Sequence, residues 1–243
     1  MIKFFRKIRQ RLLGENRFNK YLIYAVGEII LVMIGILLAL QVSNWNEIRT
    51  KDKKENFVLA SIHKEFKANK KQLDSIIKQH KMVRRNCAKI IDFFPITSKP
   101  KPHVLDSLSA YLFNSYGGYT FNPSQTSIQS LASTSSFDII KNDTLRELLI
   151  SWNDLIEDYK EEELRASRHM TDVYDTYMSK HFDWDFNFKD KRNDFKALQS
   201  LQFEYLVKNN HELLRQILMQ EGELPKVQEA LQMIIRLSKP KNQ

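Results

Sequence analysis

The chain of 243 residues sets 38 Lys and Arg against 29 Asp and Glu, for a formal charge of +9, and holds one cysteine and six glycines. A lone cysteine, Cys87, excludes an intramolecular disulfide framework and any zinc module built on several cysteines, and the glycines at 14, 27, 35, 117, 118 and 222 match no phosphate-binding loop. A mean hydropathy of -0.45 excludes a polytopic membrane protein.

The average hides an extreme start. Residues 1–20 carry seven cations, Lys3, Arg6, Lys7, Arg9, Arg11, Arg17 and Lys20, against Glu15 alone. Residues 1–13, MIKFFRKIRQRLL, read as a short amphipathic helix with Ile2, Phe5, Ile8 and Leu12 on one side, suited to the headgroup layer. The same charges also serve as plain topology signals. Because this segment holds +6 of the total charge, the basic balance speaks of membrane insertion and not of nucleic acid.

From Tyr21 to Val42 the chain is apolar except for Glu28 and Gln41. A helix of that length reaches about 33 Å, enough for the hydrocarbon core of a bilayer. A cleaved signal peptide does not fit, since the run is too long and ALQVSNW offers no small-residue cleavage site. The expected span is 21–43. Arg49, Lys51, Lys53 and Lys54 after it are balanced by Glu47, Asp52 and Glu55, so the positive-inside rule puts the N-terminus in the cytoplasm and residues from about 44 onward outside. In a bacterium that means the inner membrane and the periplasm. Trp45 then sits at interface depth as an anchor.

An acidic residue within a span is costly and marks a contact. Glu28, Val32, Gly35 and Ala39 fall on one helix face, where Gly35 and Ala39 form a small-xxx-small pair that admits a second helix closely. That face predicts self-association. The blander alternative is a carboxylate that snorkels to the interface or is protonated; ion conduction by a single span is the weakest of the three.

The stretch ENRFNKYLIYAVGEIILVMIGILLALQVSNWNE, densest over residues 20–47, resembles an uncharacterised family of single-pass membrane proteins, a domain of unknown function common in Bacteroidota. FDIIKNDTLRELLISWN, residues 137–153, is a weaker echo. The resemblance implies topology and architecture and brings no catalytic residue.

Beyond the span, Leu59, Ile62, Phe66, Asn69, Leu73, Ile76, His80, Val83, Cys87, Ile90 and Phe94 alternate spacings of three and four with no Pro or Gly between Glu47 and Phe94. The pattern predicts a long helix over 44–94, a stalk whose stripe suits a bundle within the chain at least as well as a dimeric coil. Pro95 ends it. Helices are expected at about 103–114 and 124–134, then a long one from the Asn142 cap to about Lys180, and a last helical region from about 194 to 238 interrupted or bent near Gly222 and Pro225. Strand signals are nearly absent. The expected fold class is all-α, one transmembrane helix followed by the stalk and an antiparallel helical bundle completed by residues 95–243.

Six histidines form no H-E-x-x-H motif. His80 on the stripe reads as a core polar residue, and a metal site from His181, Asp183 and Asp185 is disfavoured. Glu157 to Glu163 reads as a solvated helix face. Tyr116, Tyr119 and Phe121 in NSYGGYTFNPS, with Phe182, Trp184 and Phe186 in FDWDFNF, are the best candidates for a partner surface, although capping the ends of the core is the commoner use of such rings. No catalytic, cofactor or metal residues are assigned. The expected function is non-enzymatic: a membrane-anchored helical domain that binds an unknown protein partner or organises the envelope, touches the bilayer and forms a homo-oligomer, with no nucleic acid and no cofactor. The alternative is an extracytoplasmic ligand sensor that signals through a membrane partner.

Overall fold

A computed structural model describes residues 18–219 and 221–240, so the amphipathic segment expected at 1–13 lies outside the described residues. The described residues are helical without strands. They divide into two compact units, one up to Glu55 and one from Asn56.

Helix α1 runs Phe18–Ile91 and contributes residues to both units. No Pro or Gly interrupts it between Gly35 and its end, and it stops before Phe94-Pro95, where proline disfavours helical geometry in the preceding residue. From Leu22 to Val42, within the first unit, it carries apolar side chains on every side, with Ile23 72%, Leu31 68% and Val42 65% exposed. Among the described residues α1 is the one helix long and apolar enough to cross a membrane.

From Leu59 the same helix changes regime. Leu59, Ile62, Phe66, Asn69, Leu73, His80, Val83, Cys87 and Ile90 are buried while Lys64, Lys67, Lys71 and Lys78 on the other faces are exposed or half-exposed. Ile77 takes the buried place expected of Ile76. These side chains join one hydrophobic core with residues of the later helices, so the stripe is satisfied within the chain. Removing each large apolar side chain from water contributes about 1.5–3 kcal/mol.

The later helices are α2 (Pro102–Phe113), α3 (Thr126–Ser133), α4 (Asp143–Ile150), α5 (Trp152–Arg168), α6 (Asp175–His181), α7 (Leu201–Ile217) and α8 (Glu223–Leu237). Pro102 opens α2 at a position where a missing N–H costs nothing. The side chain of Asn142 caps α4, accepting from the Leu145 N–H at 2.8 Å, as the sequence predicts. The single helix expected from there to Lys180 is broken at Ser151. Its hydroxyl donates back to the Glu147 carbonyl at 3.0 Å, a local bond that competes with helical geometry. A π-helical turn, His169–Tyr174, then separates α5 from α6. Of the interruption or bend expected near Gly222 and Pro225 the chain takes the interruption: Gly222 precedes α8, and Pro225 lies in its first turn, where proline is tolerated. Helix α5 packs on α7 and α8, and α4 on α8.

Candidate functional site

Leu145, Leu149, Trp152, Ile156, Tyr159, Glu163, Ala166 and Met170 repeat at spacings of four and three, and all are buried. Glu163 therefore occupies a core position. The reading of residues 157–163 as a solvated face holds for the exposed Glu157, Asp158 and Glu161 and is corrected at Glu163, because the apolar stripe continues through Tyr159 and carries Glu163 inward with it. Three stripes thus each place a polar residue inside: Asn69 and His80 on α1, Glu163 on α5, and Asn210 on α7. A buried polar side chain is costly unless it finds partners.

For Asn69, Glu163 and Asn210 partners lie on one segment, residues 114–124, between α2 and α3. The Asn210 amide donates to the Ser115 carbonyl at 3.2 Å. The Phe121 N–H donates to Oε2 of Glu163 at 2.6 Å, while Oε1 lies 3.0 Å from His80 Nε2. Asn69 binds Ser124 at both ends, donating to its carbonyl at 2.8 Å and accepting from its N–H at 2.9 Å. A loop without regular structure must satisfy its backbone groups some other way, and three helices supply the means. Gly118 makes the turn possible at φ +89°, a conformation glycine adopts without strain.

The pinned loop presents rings. Tyr116 and Tyr119 line a cleft of about 210 Å³ together with Met82, Phe113, Asn114, Trp184 and Phe186. Tyr116 is backed by Tyr174 of the π-helical turn, ring edge against face at 5.5 Å, and Tyr174 in turn hydrogen-bonds the Ser115 hydroxyl at 2.8 Å. On the other wall Trp184 is 71% exposed. Phe186 sits at φ +51°, a region bulky residues rarely adopt, and its carbonyl accepts from the Ser109 hydroxyl at 2.7 Å. Burial raises the Tyr116 phenol well above its usual range, and the neighbouring Asp175 carboxylate adds to the effect.

Of the six aromatics predicted for a partner surface, four meet at this cleft: Tyr116, Tyr119, Trp184 and Phe186. Phe186 is buried as well and belongs to the core at the same time, and the other two serve the core alone. Phe121 is fully buried beside Tyr159, and Phe182 is buried among Phe186 and Phe188. Met82, Phe113 and Asn114 were not singled out by the sequence. Nothing local distinguishes an off-stripe methionine or the last ring of α2 from any other exposed apolar residue.

Cys87 is buried, and desolvation pushes its thiol up to about 12, which suits packing and not nucleophilic chemistry. His181 faces Asp194 at 3.5 Å, whereas Asp183 accepts from the side chain of Asn193 and the N–H of Asn187. The three are not drawn together, and among the described residues no group of three or more His, Cys, Asp or Glu could hold a metal ion.

The predicted contact face of the apolar helix lies in the first unit. Val32, Gly35 and Ala39 are exposed there and Glu28 is half-buried. A Cβ added at Gly35 would meet nothing within 4 Å. Trp45 is 64% exposed, with the Arg49 guanidinium over its ring at 5.8 Å.

A family model described as a family of unknown function (DUF6090) matches residues 28–180. No curated protein and no solved structure matches the chain.

Proposed function

The chain belongs to this family of unknown function, DUF6090, whose matched region takes in the apolar helix from Glu28 and the loop that carries Tyr116 and Tyr119 and stops short of Trp184, and from that premise we propose a membrane-anchored, non-enzymatic helical domain that binds a protein partner. In this reading residues 21–43 cross the bacterial inner membrane with the N-terminus cytoplasmic, and the part from about 44 onward is a periplasmic antiparallel bundle. The observation that carries it is the cleft. Three buried polar side chains from three helices fix one loop whose Tyr116 and Tyr119 share the cleft with Trp184. Such preorganisation limits the entropy lost on binding, and exposed Trp and Tyr are the residues that most often anchor interfaces.

Self-association through Glu28, Val32, Gly35 and Ala39 completes the proposal, supported by a helix face with open space over Gly35. A photo-cross-linking residue in place of Trp184 in intact cells is expected to give a discrete adduct that the same residue in place of exposed Lys208 does not. Equal, diffuse labelling at both positions would remove the cleft from the reading. For the helix face, Glu28→Leu and the pair Gly35→Leu with Ala39→Leu are expected to change the oligomer distribution in detergent. Unchanged association in both would discard the oligomer.

The second reading, a ligand sensor that signals through a membrane partner, is favoured by the same cleft, whose volume suits a small molecular group.

A further inference from the structure

The geometry points to a quaternary ammonium group as the occupant of the cleft between the 114–121 loop and the 182–188 segment. This rests on reading the cleft as a binding surface and adds the chemistry of what it takes.

Five rings and a thioether make up the lining apart from Asn114, and no Lys or Arg is among it. The rings do not form a single stacked slab. Phe113 stands at 87° to Trp184 with centroids 6.2 Å apart, while Tyr116 is tilted 48° from Trp184 and 41° from Phe186 at 6.1 Å. Faces of different orientation therefore meet around one space. An aromatic face carries the negative part of the ring quadrupole, so a cation surrounded by several faces is attracted by each.

Acidic groups stand beside two of the rings, while Lys81 stands beside Met82 in sequence. The Asp175 carboxylate adjoins the Tyr116 hydroxyl, and Asp183 and Asp185 flank Trp184 in sequence. A carboxylate beside a ring adds negative potential where a cation would sit. An anionic ligand finds no donor cluster or fixed cation in this lining.

The scarcity of acceptors separates a quaternary ammonium from a lysine. A primary ammonium brings three N–H donors that each need an acceptor once water is removed. Asn114 spends its Nδ2 on the Ala110 carbonyl at 2.7 Å, so the acceptors left in the lining are its Oδ1 and the two phenol oxygens, and none is a carboxylate. A methylated ammonium carries no N–H and presents an apolar surface around its charge, so it suits rings and a thioether. About 210 Å³ fits such a headgroup and is smaller than the pockets that hold drug-sized ligands.

The test is isothermal titration of the full chain, held in maltoside micelles, with choline, tetramethylammonium and 3,3-dimethylbutan-1-ol, the neutral isostere of choline. Both cations are expected to bind saturably and the neutral isostere at least tenfold more weakly. Tyr116→Leu and Trp184→Leu should each weaken choline about tenfold. Trp184 is 71% exposed, so the second variant keeps the wild-type unfolding midpoint and separates lost binding from lost folding. Repeating the titration in nanodiscs distinguishes the sources. If phosphatidylcholine discs abolish choline binding and phosphatidylglycerol discs do not, the group belongs to a lipid headgroup; if both leave it intact, it belongs to a free solute. Absence of saturable binding, or equal affinity for the neutral isostere, overturns the assignment. Should that happen while the Trp184 adduct persists in cells, the partner surface stands and only its cationic chemistry falls.

Discussion

One helix, α1, shows two kinds of apolar patterning. Up to Glu55 its large apolar side chains point outward on all faces, and Ile23, Ile34 and Val42 are each more than half exposed. From Asn56 on, apolar residues recur every three or four positions, and those on the stripe are covered by other parts of the chain. Backbone and helical period are the same in both. The difference is the medium each stretch is written for: a helix apolar all round fits a bilayer or a partner, while a striped helix fits a core against water. The second regime also tolerates buried polar residues, provided the fold supplies partners, and that provision builds the site.

The largest expected effect tests this contrast directly. Phe66 is fully buried and packs edge-on against Trp152 at 4.9 Å, so Phe66→Ala should cost about 3–5 kcal/mol in denaturant unfolding followed by near-ultraviolet circular dichroism. Ile34→Ala, at a 51% exposed position of the apolar helix, should leave that transition within about 0.5 kcal/mol. A comparable loss at Ile34 would erase the distinction between the two regimes. Next in size is Glu163→Leu. It leaves the Phe121 N–H without its acceptor and His80 without its partner, and His80 Nδ1 already has none. The expected loss is about 3 kcal/mol, and the Phe121 amide should lose its protection from hydrogen exchange. If Phe121 stays protected, Glu163 does not hold the loop.

Much of this was legible in the residues and some was not, for definable reasons. The apolar run, the stripe on α1, the Asn142 cap and the breaks at Pro95 and Gly222 are local, because they depend on spacing and on the backbone habits of single residues. Glu163 was legible in principle, since the run of four and three from Leu145 passes through it. Its charge type argued for the surface, and the period decided otherwise. The meeting of Met82 and Phe113 with Tyr116, Tyr119 and Trp184 was not legible. It depends on how α1, α2, the 114–124 loop and the 182–188 segment assemble, and no local spacing encodes a contact across 70 to 100 residues. The pinning of that loop by Asn69, Glu163 and Asn210 is likewise a property of three stripes taken together.

The smallest expected effect is a pH dependence, and it sharpens the same point about buried polar groups. His169, at the start of the π-helical turn, is buried. Its Nε2 lies 3.1 Å from the Leu206 carbonyl, and its Nδ1 lies 3.1 Å from the Asn209 amide nitrogen. The neutral ring satisfies both, with Nε2–H donating to the carbonyl and Nδ1 accepting from the amide. A second proton on Nδ1 would turn that acceptor into a donor facing another donor. Burial accordingly lowers the imidazole below its ordinary 6.5, the Leu206 carbonyl opposing in part. Since the unfolded chain binds this proton more readily than the native one, stability falls as pH drops below about 6.5 toward the lowered native value. His211, lowered by burial and then by the Arg84 charge, acts in the same sense. Glu162, raised by burial, opposes them at lower pH, which confines a clean reading to the range from about 7.5 to 5.5. The thermal midpoint should therefore decline across that range in the wild type and decline less in His169→Gln, with the remainder assigned to His211. A wild-type midpoint flat in pH, or a slope unaltered by the substitution, would mean that Asn209 yields to the charged ring, and that this core is more forgiving of charge than its hydrogen bonds imply.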